Sequence, residues 1–204
     1  MIVKICGITN LEDAQAAIEA GAAALGFNFW PGSPRYIAPE RAAQILAALP
    51  PGVWKAGIFV NSPAESIAQT AAHLGLDVAQ LYGTAAAPAG IRIWRAVRVE
   101  PGFDPGRLED PAAEAFVLDA APPSLWGGAG LCFDWRLARG ATRRIIVAGG
   151  LDENNVREAI RQARPWGVDA CSRLERAPGR KDHARLRRFV REALAEAAFE
   201  GGES

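Results

Sequence analysis

The sequence predicts an α/β chain closed into a single-domain, parallel eight-stranded (β/α)8 TIM barrel. Three observations predict it. Eight short apolar or β-branched runs recur along 204 residues, with stretches of helical period between them. The runs are apolar almost throughout, as in Ile145-Ile146-Val147, which marks parallel strands buried on both faces. No linker or shift in composition splits the chain, so residues 1–204 are expected to share one core. A barrel of this length sits near the lower end of the range and implies minimal loops. The alternative is a doubly wound open sheet, but its glycine-rich dinucleotide turn is absent after the first strand.

Taken in order, the predicted strands are Ile2–Cys6, Ala24–Asn28, Trp54–Val60, Val78–Leu81, Arg92–Val97, Ala115–Asp119, Arg144–Ala148 and Val168–Cys171. Thr9 and Glu12 have capping-box spacing at the start of the first helix, whose apolar stripe is Leu11, Ala14, Ile18 and Ala22. Pro39 suits the first position of a second helix carrying Ala42, Ile45, Leu46 and Leu49. Ser62-Pro63-Ala64-Glu65 reads as another capping box, ahead of Ile67, Ala71 and Leu74, with Gly75 as the stop. The helices after strands four, five and six are expected to be short, because their stripes are weak and prolines crowd the region. Val156, Ala159, Ile160 and Ala163 form one late stripe. Leu186, Phe189, Val190, Ala193, Leu194 and Ala197 form the last, and residues 200–204 are expected to fray.

Composition narrows the function classes. Lys plus Arg and Asp plus Glu each number 23, so the net charge is zero, which argues against nucleic acid as a partner. Three widely spaced cysteines and two histidines show no zinc-like pattern, so no metal is expected. Free thiols suit a reducing cytoplasm. Lys4 interrupts a very short apolar run, so no signal peptide is expected, and no stretch approaches a membrane span.

In a barrel the reactive groups come from the carboxyl ends of the strands, which face one mouth. Strand one ends at Cys6, with a helix start close behind, a place that can hold a thiolate as a base. Alone, Cys6 is read first as a small buried apolar side chain, the usual fate of a free cysteine. Strand six ends at Asp119, which alone reads as a loop aspartate capping an amide. Together, an acid and a thiol at one mouth are the pair needed to move protons at two points of one substrate. Gly149 and Gly150 follow strand seven, where such barrels bind phosphate, although a tight turn explains a lone glycine pair as well. Ser172 and Arg173 follow strand eight. Arg35 lies in a Pro-Gly-Ser-Pro loop after strand two, as a solvated arginine or as a two-pronged clamp for a carboxylate. Gly127-Gly128-Ala129-Gly130 is either a mobile cover or a plain linker.

These pieces, in this order, resemble the phosphoribosylanthranilate isomerase family of tryptophan biosynthesis over almost the whole chain. The carrying segments are Lys4-Ile5-Cys6-Gly7-Ile8-Thr9, Ser33-Pro34-Arg35-Tyr36-Ile37, Gly57-Ile58-Phe59-Val60-Asn61, Gln80-Leu81-Tyr82-Gly83, Leu118-Asp119, Phe133-Asp134-Trp135, Ala148-Gly149-Gly150-Leu151 and Gly167-Val168-Asp169 through Asp182. The resemblance implies an Amadori rearrangement without metal or organic cofactor, acting on a small phosphosugar-anthranilate substrate. It implies Asp119 as general acid, Cys6 as general base, and Arg35 on the anthranilate carboxylate. The amides around Gly149, Gly150, Ser172 and Arg173 would hold the phosphate. The state is expected to be a monomer or a homodimer.

Three positions depart from the family pattern. Tyr82 stands at a common histidine, Ala129 at a hydroxyl residue, and Cys171-Ser172-Arg173 where the family usually reads Ser-Ser-Gly. If the third position needs positive φ, Arg173 is strained; if not, it adds charge beside the phosphate. Cys171 reads as structural. Two other readings compete: the related histidine-pathway isomerase or an enzyme serving both pathways, against which Cys6 stands at the strand-one aspartate position, and a phospholigand-binding barrel without catalysis.

Overall fold

The computed structural model describes residues 1–84, 86–100, 102–120 and 131–201, with side chains through residue 199. Eight strands close into a barrel in chain order: β1 (Ile2–Ile5), β2 (Ala24–Asn28), β3 (Trp54–Val60), β4 (Val78–Tyr82), β5 (Arg92–Arg98), β6 (Ala113–Asp119), β7 (Arg144–Val147) and β8 (Gly167–Ala170). Every neighbouring pair is parallel, and β8 returns to β1. A two-stranded antiparallel ribbon, β9 (Glu175–Ala177) and β10 (Arg180–Lys181), follows β8. All eight strands lie where the apolar runs predict them. β1 and β8 stop one residue short of their cysteines: the backbone turns at Gly7, with φ of +74°, and a 3-10 turn begins at Ser172.

The helices are α1 (Leu11–Glu19), α2 (Pro39–Leu46), α3 (Ala64–Leu74), α4 (Val156–Ala163) and α5 (His183–Gly201). The short helices expected after β4, β5 and β6 do not form as α-helices among the described residues. The last two connections carry 3-10 turns instead, Pro105–Arg107 and Trp135–Ala138. Proline cannot donate to a helix ladder and biases its predecessor to extended backbone, which disfavours a regular helix in the described parts of these stretches. Gly127–Gly130 lies outside the described residues, as does the end of the tail.

Both expected capping boxes are corrected. Asn10, not Thr9, caps α1: its Oδ1 accepts from the Asp13 amide at 2.9 Å. The Thr9 hydroxyl donates instead to the Gly179 carbonyl at 2.5 Å and ties down the β9–β10 turn. Pro63 is the cap residue of α3 and contributes no side-chain bond, while the Ser62 hydroxyl turns back to the Val60 carbonyl at 3.4 Å. Pro39 and Gly75 sit as predicted, Gly75 in the left-handed region with φ of 59°.

The apolar faces follow the sequence closely. Val156, Ala159, Ile160 and Ala163 of α4 are buried, as are Leu186, Phe189, Val190 and Ala193 of α5. Full burial of each large side chain is worth roughly 1.5–3 kcal/mol. Leu194 departs from the predicted stripe and is exposed, while Glu196, two residues on, is buried. That glutamate accepts from Arg161 of α4 at 2.7 and 3.0 Å, so an ion pair closes this end of the α4–α5 contact.

Alternation along the strands sends every second residue into the lumen. At its amino end Trp54, Trp94 and Trp166 pack with ring centroids 5.8–6.1 Å apart. Above them the lumen becomes polar. Lys4 and Asp169 are register partners on β1 and β8, and the Lys4 Nζ donates to Asp169 Oδ2 at 2.6 Å with both side chains buried. Burial works against the lysine charge, but Asp169 and Cys6 outweigh it and raise its pKa. Replacing Lys4 with Met therefore strands a buried carboxylate, and we expect a loss of about 3 kcal/mol, read from the urea midpoint. A midpoint within experimental scatter of wild type would show that the pair contributes no net stability.

Candidate active site

The carboxyl end of the barrel opens into a cavity of about 250 Å³. All seven residues singled out in the sequence line it: Cys6, Arg35, Asp119, Gly149, Gly150, Ser172 and Arg173. Tyr82, Asp169 and Cys171 join them.

Asp119 ends β6 and is buried. Its Oδ2 lies 3.4 Å from the Tyr82 hydroxyl, which accepts from Gln80 at 3.2 Å. Burial and the nearby Asp119 push the phenol well above its usual range, so Tyr82 stays a neutral donor to the Asp119 carboxyl group. Gly149 lets the next strand end approach: a Cβ there would stand 2.8 Å from the Ala120 amide and 2.9 Å from Asp119 Oδ1. Its φ of +79°, followed by +63° at Gly150, is backbone that only glycine adopts without strain. Asn155 staples this turn. Its amide donates to the Gly150 carbonyl at 2.8 Å, and its oxygen accepts from the Asp152 amide at 2.8 Å.

Cys6 and Cys171 follow the ends of the neighbouring strands β1 and β8, both line the cavity, and each thiol shifts the ionisation of the other. Two adjacent thiols lose their protons as a pair, because a second thiolate would face the first. The hydrogen bond from Cys6, helped by Lys181 and Arg35, brings Cys171 down to about 7. The same hydrogen bond, together with burial, holds the second proton on Cys6 well above the usual range. The pair thus carries one shared thiolate near neutral pH.

Arg35 is oriented differently from the open clamp that its loop suggested. Its Nε and Nη2 donate to both oxygens of Glu175 at 2.8–3.0 Å, and Lys181 Nζ reaches Glu175 Oε1 at 2.9 Å. The Nη1 edge makes no hydrogen bond to a described residue and is the part left to meet a ligand. Arg173 lies in the 3-10 turn Ser172–Leu174, and its φ is not positive, so the strain alternative fails. Its guanidinium meets Asp152 Oδ2 at 2.9 Å and places a positive charge beside the Gly149–Gly150 turn.

Sequence reasoning missed Lys4, Asp169, Glu175 and Lys181. The signal for the first was available: a lysine in a strand buried on both faces needs a partner inside the barrel. Glu175 and Lys181 belong to a ribbon that no apolar pattern announces. Among the described residues, buried Asp169 Oδ1 and Gln80 Oε1 have no hydrogen-bond partner. No group of described residues could hold a metal ion, and no described helix is long and apolar enough to cross a membrane.

Comparison with known proteins bears on the same geometry. The family model described as N-(5'phosphoribosyl)anthranilate (PRA) isomerase matches residues 3–192. The N-(5'-phosphoribosyl)anthranilate isomerase of Solibacter usitatus is 48% identical over 198 residues, covering 96% of this chain and 98% of its own. The Thermus thermophilus phosphoribosyl anthranilate isomerase structure has a TM-score of 0.87 at 36% identity, covering 96% of this chain and 99% of its own. A phosphoribosyl anthranilate isomerase solved in complex with reduced 1-(o-carboxyphenylamino)-1-deoxyribulose 5-phosphate has a TM-score of 0.82 at 37% identity, covering 96% and 100%. With its model matched along nearly the whole barrel, the chain belongs to the N-(5'-phosphoribosyl)anthranilate isomerase family.

Proposed function

We propose that this chain catalyses the Amadori rearrangement of N-(5-phosphoribosyl)anthranilate to 1-(2-carboxyphenylamino)-1-deoxyribulose 5-phosphate. The observation that carries the reading is that one cavity is lined by the carboxyl of Asp119 and by the thiols of Cys6 and Cys171. The reaction needs one proton delivered and one removed at different atoms. Asp119 delivers its proton to the furanose ring oxygen. The C1–O bond breaks, and the anilino nitrogen lone pair forms the iminium. Cys6 then removes the proton from sugar C2, and the electrons of that bond form the enolamine. The enolamine takes a proton at C1 while the C2 hydroxyl gives up its own, and the product is the ketone. The substrate nitrogen delocalises the charge, so the chemistry asks for no cofactor. The Nη1 edge of Arg35 receives the anthranilate carboxylate, while the Gly149–Gly150 turn, Ser172 and Arg173 receive the phosphate.

Within this reading the Tyr82 hydroxyl orients Asp119, the task open to any neutral donor at that position. The free thiols fit work in a reducing cytoplasm. The test is turnover of freshly generated phosphoribosylanthranilate, followed as loss of its fluorescence. Turnover by the purified chain without added metal supports the proposal. A folded chain that binds the reduced product yet shows no turnover is a binding barrel, and the proposal fails.

A further inference from the structure

The Cys6–Cys171 pair has chemistry that proton transfer does not use. The β1–β8 register pairs Lys4 with Asp169 and Ile5 with Ala170, and the Cys6 amide still donates to the Ala170 carbonyl at 2.9 Å. Cys6 and Cys171 are the residues that directly follow the last register pair, Ile5 with Ala170. Two residues below, on the same inward face, Lys4 and Asp169 already touch at 2.6 Å. Neighbouring parallel strands run about 4.8 Å apart. A disulfide accepts Cα separations of roughly 4.4–6.8 Å, a range that includes the spacing of neighbouring strands. The Cys171 sulfur lies over Gly7, where a Cβ would stand 2.9 Å away, so the space beside Cys6 is kept open.

We propose that Cys6 and Cys171 form a hydroperoxide-reactive dithiol that closes to a disulfide. Both thiols line the cavity, which a small peroxide can enter. Lys181 Nζ is 3.9 Å from the Cys171 sulfur and the guanidinium of Arg35 is also near; these cations favour the thiolate against the Glu175 carboxylate at 4.0 Å. Its proton leaves at about 7, which makes Cys171 the first sulfur to react. The Cys171 thiolate attacks one peroxide oxygen; the O–O bond breaks, and the departing oxygen leaves as water or alcohol. Cys171 is then a sulfenic acid. Cys6, deprotonated, attacks that sulfur; the S–O bond breaks and a second water leaves. Two thiols are oxidised, one peroxide is reduced, and a reducing dithiol reverses the change. Cys132 is not part of the pair: its sulfur lies on the Gly150 carbonyl at 3.3 Å.

The experiment exposes the whole chain to hydrogen peroxide and follows intact mass, disulfide-linked peptides and turnover. The expected wild-type product is lighter by two hydrogen atoms, with the Cys6 and Cys171 peptides joined, and dithiothreitol restores the mass. Cys171→Ser is expected to gain oxygen atoms at Cys6 and form no such link. Cys132→Ser is expected to form the same link as wild type. A wild type that gains oxygen at Cys6 without the link overturns the proposal, as does a link through Cys132. Mass and peptides report the bond whatever Cys6 does in turnover. If Cys6 is also the base, the linked protein loses turnover by about 10²-fold or more and regains it with dithiothreitol.

Discussion

Asp119→Asn is expected to lower kcat by about 10²–10⁴-fold, with KM changed little. The argument is chemical rather than steric. Asparagine has the shape of aspartate, keeps an oxygen to accept from Tyr82, and fits under the Gly149 turn that crowds the carboxylate. What it lacks is a proton acidic enough to give to the ring oxygen. Ring opening is where that proton is needed, so the loss falls on the transition state and leaves ground-state contacts with phosphate and carboxylate in place. Steady-state kinetics on the variant decide the matter. A kcat within a few-fold of wild type would remove Asp119 from the acid role and move attention to Tyr82, whose hydroxyl is the adjacent donor in the same cavity.

The eight strands were legible because parallel strands buried on both faces leave nearly continuous apolar runs, as in β7. The positions of Cys6, Asp119 and Gly149 followed from counting those strands. The connections after β4, β5 and β6, which hold no α-helix among the described residues, were only half legible. Weak stripes and prolines showed that any helices there would be short, but not that two of the connections would carry 3-10 turns instead. The helix caps were misread because Thr9–Glu12 and Ser62–Glu65 carry the right spacing, while which residue caps depends on where the chain leaves the barrel rim. Arg35 shows a different limit. Its loop position was evident, but its bidentate partner lies 140 residues away on the ribbon after β8, and no local pattern encodes that pairing. The Cys6–Cys171 contact is of the same kind. It exists because the barrel closes the last strand on the first.

Cys6→Ser should be the mirror of the Asp119 result, with kcat falling by about 10²–10⁴-fold while the substrate analogue still binds. Serine keeps the size and the hydrogen bond to Cys171 but does not ionise near neutral pH, so it cannot take the C2 proton. The neighbouring Cys171 makes a sharper test possible. Near neutral pH the pair holds a single thiolate, released at about 7 by the thiol–thiol hydrogen bond and the cations around Cys171. A base must be unprotonated to act, so wild-type kcat/KM should fall as pH drops below about 7 and level off above it, until other groups intervene. Cys171→Ser removes the partner that accepts the Cys6 proton. The isolated thiol then loses its proton with help from Lys4 alone, against the burial that holds the proton on. The rising limb should therefore move to higher pH in that variant, even where the maximal rate is similar. An unmoved limb would mean that the two sulfurs do not share their proton during turnover, and Cys6 would be acting as a solitary base.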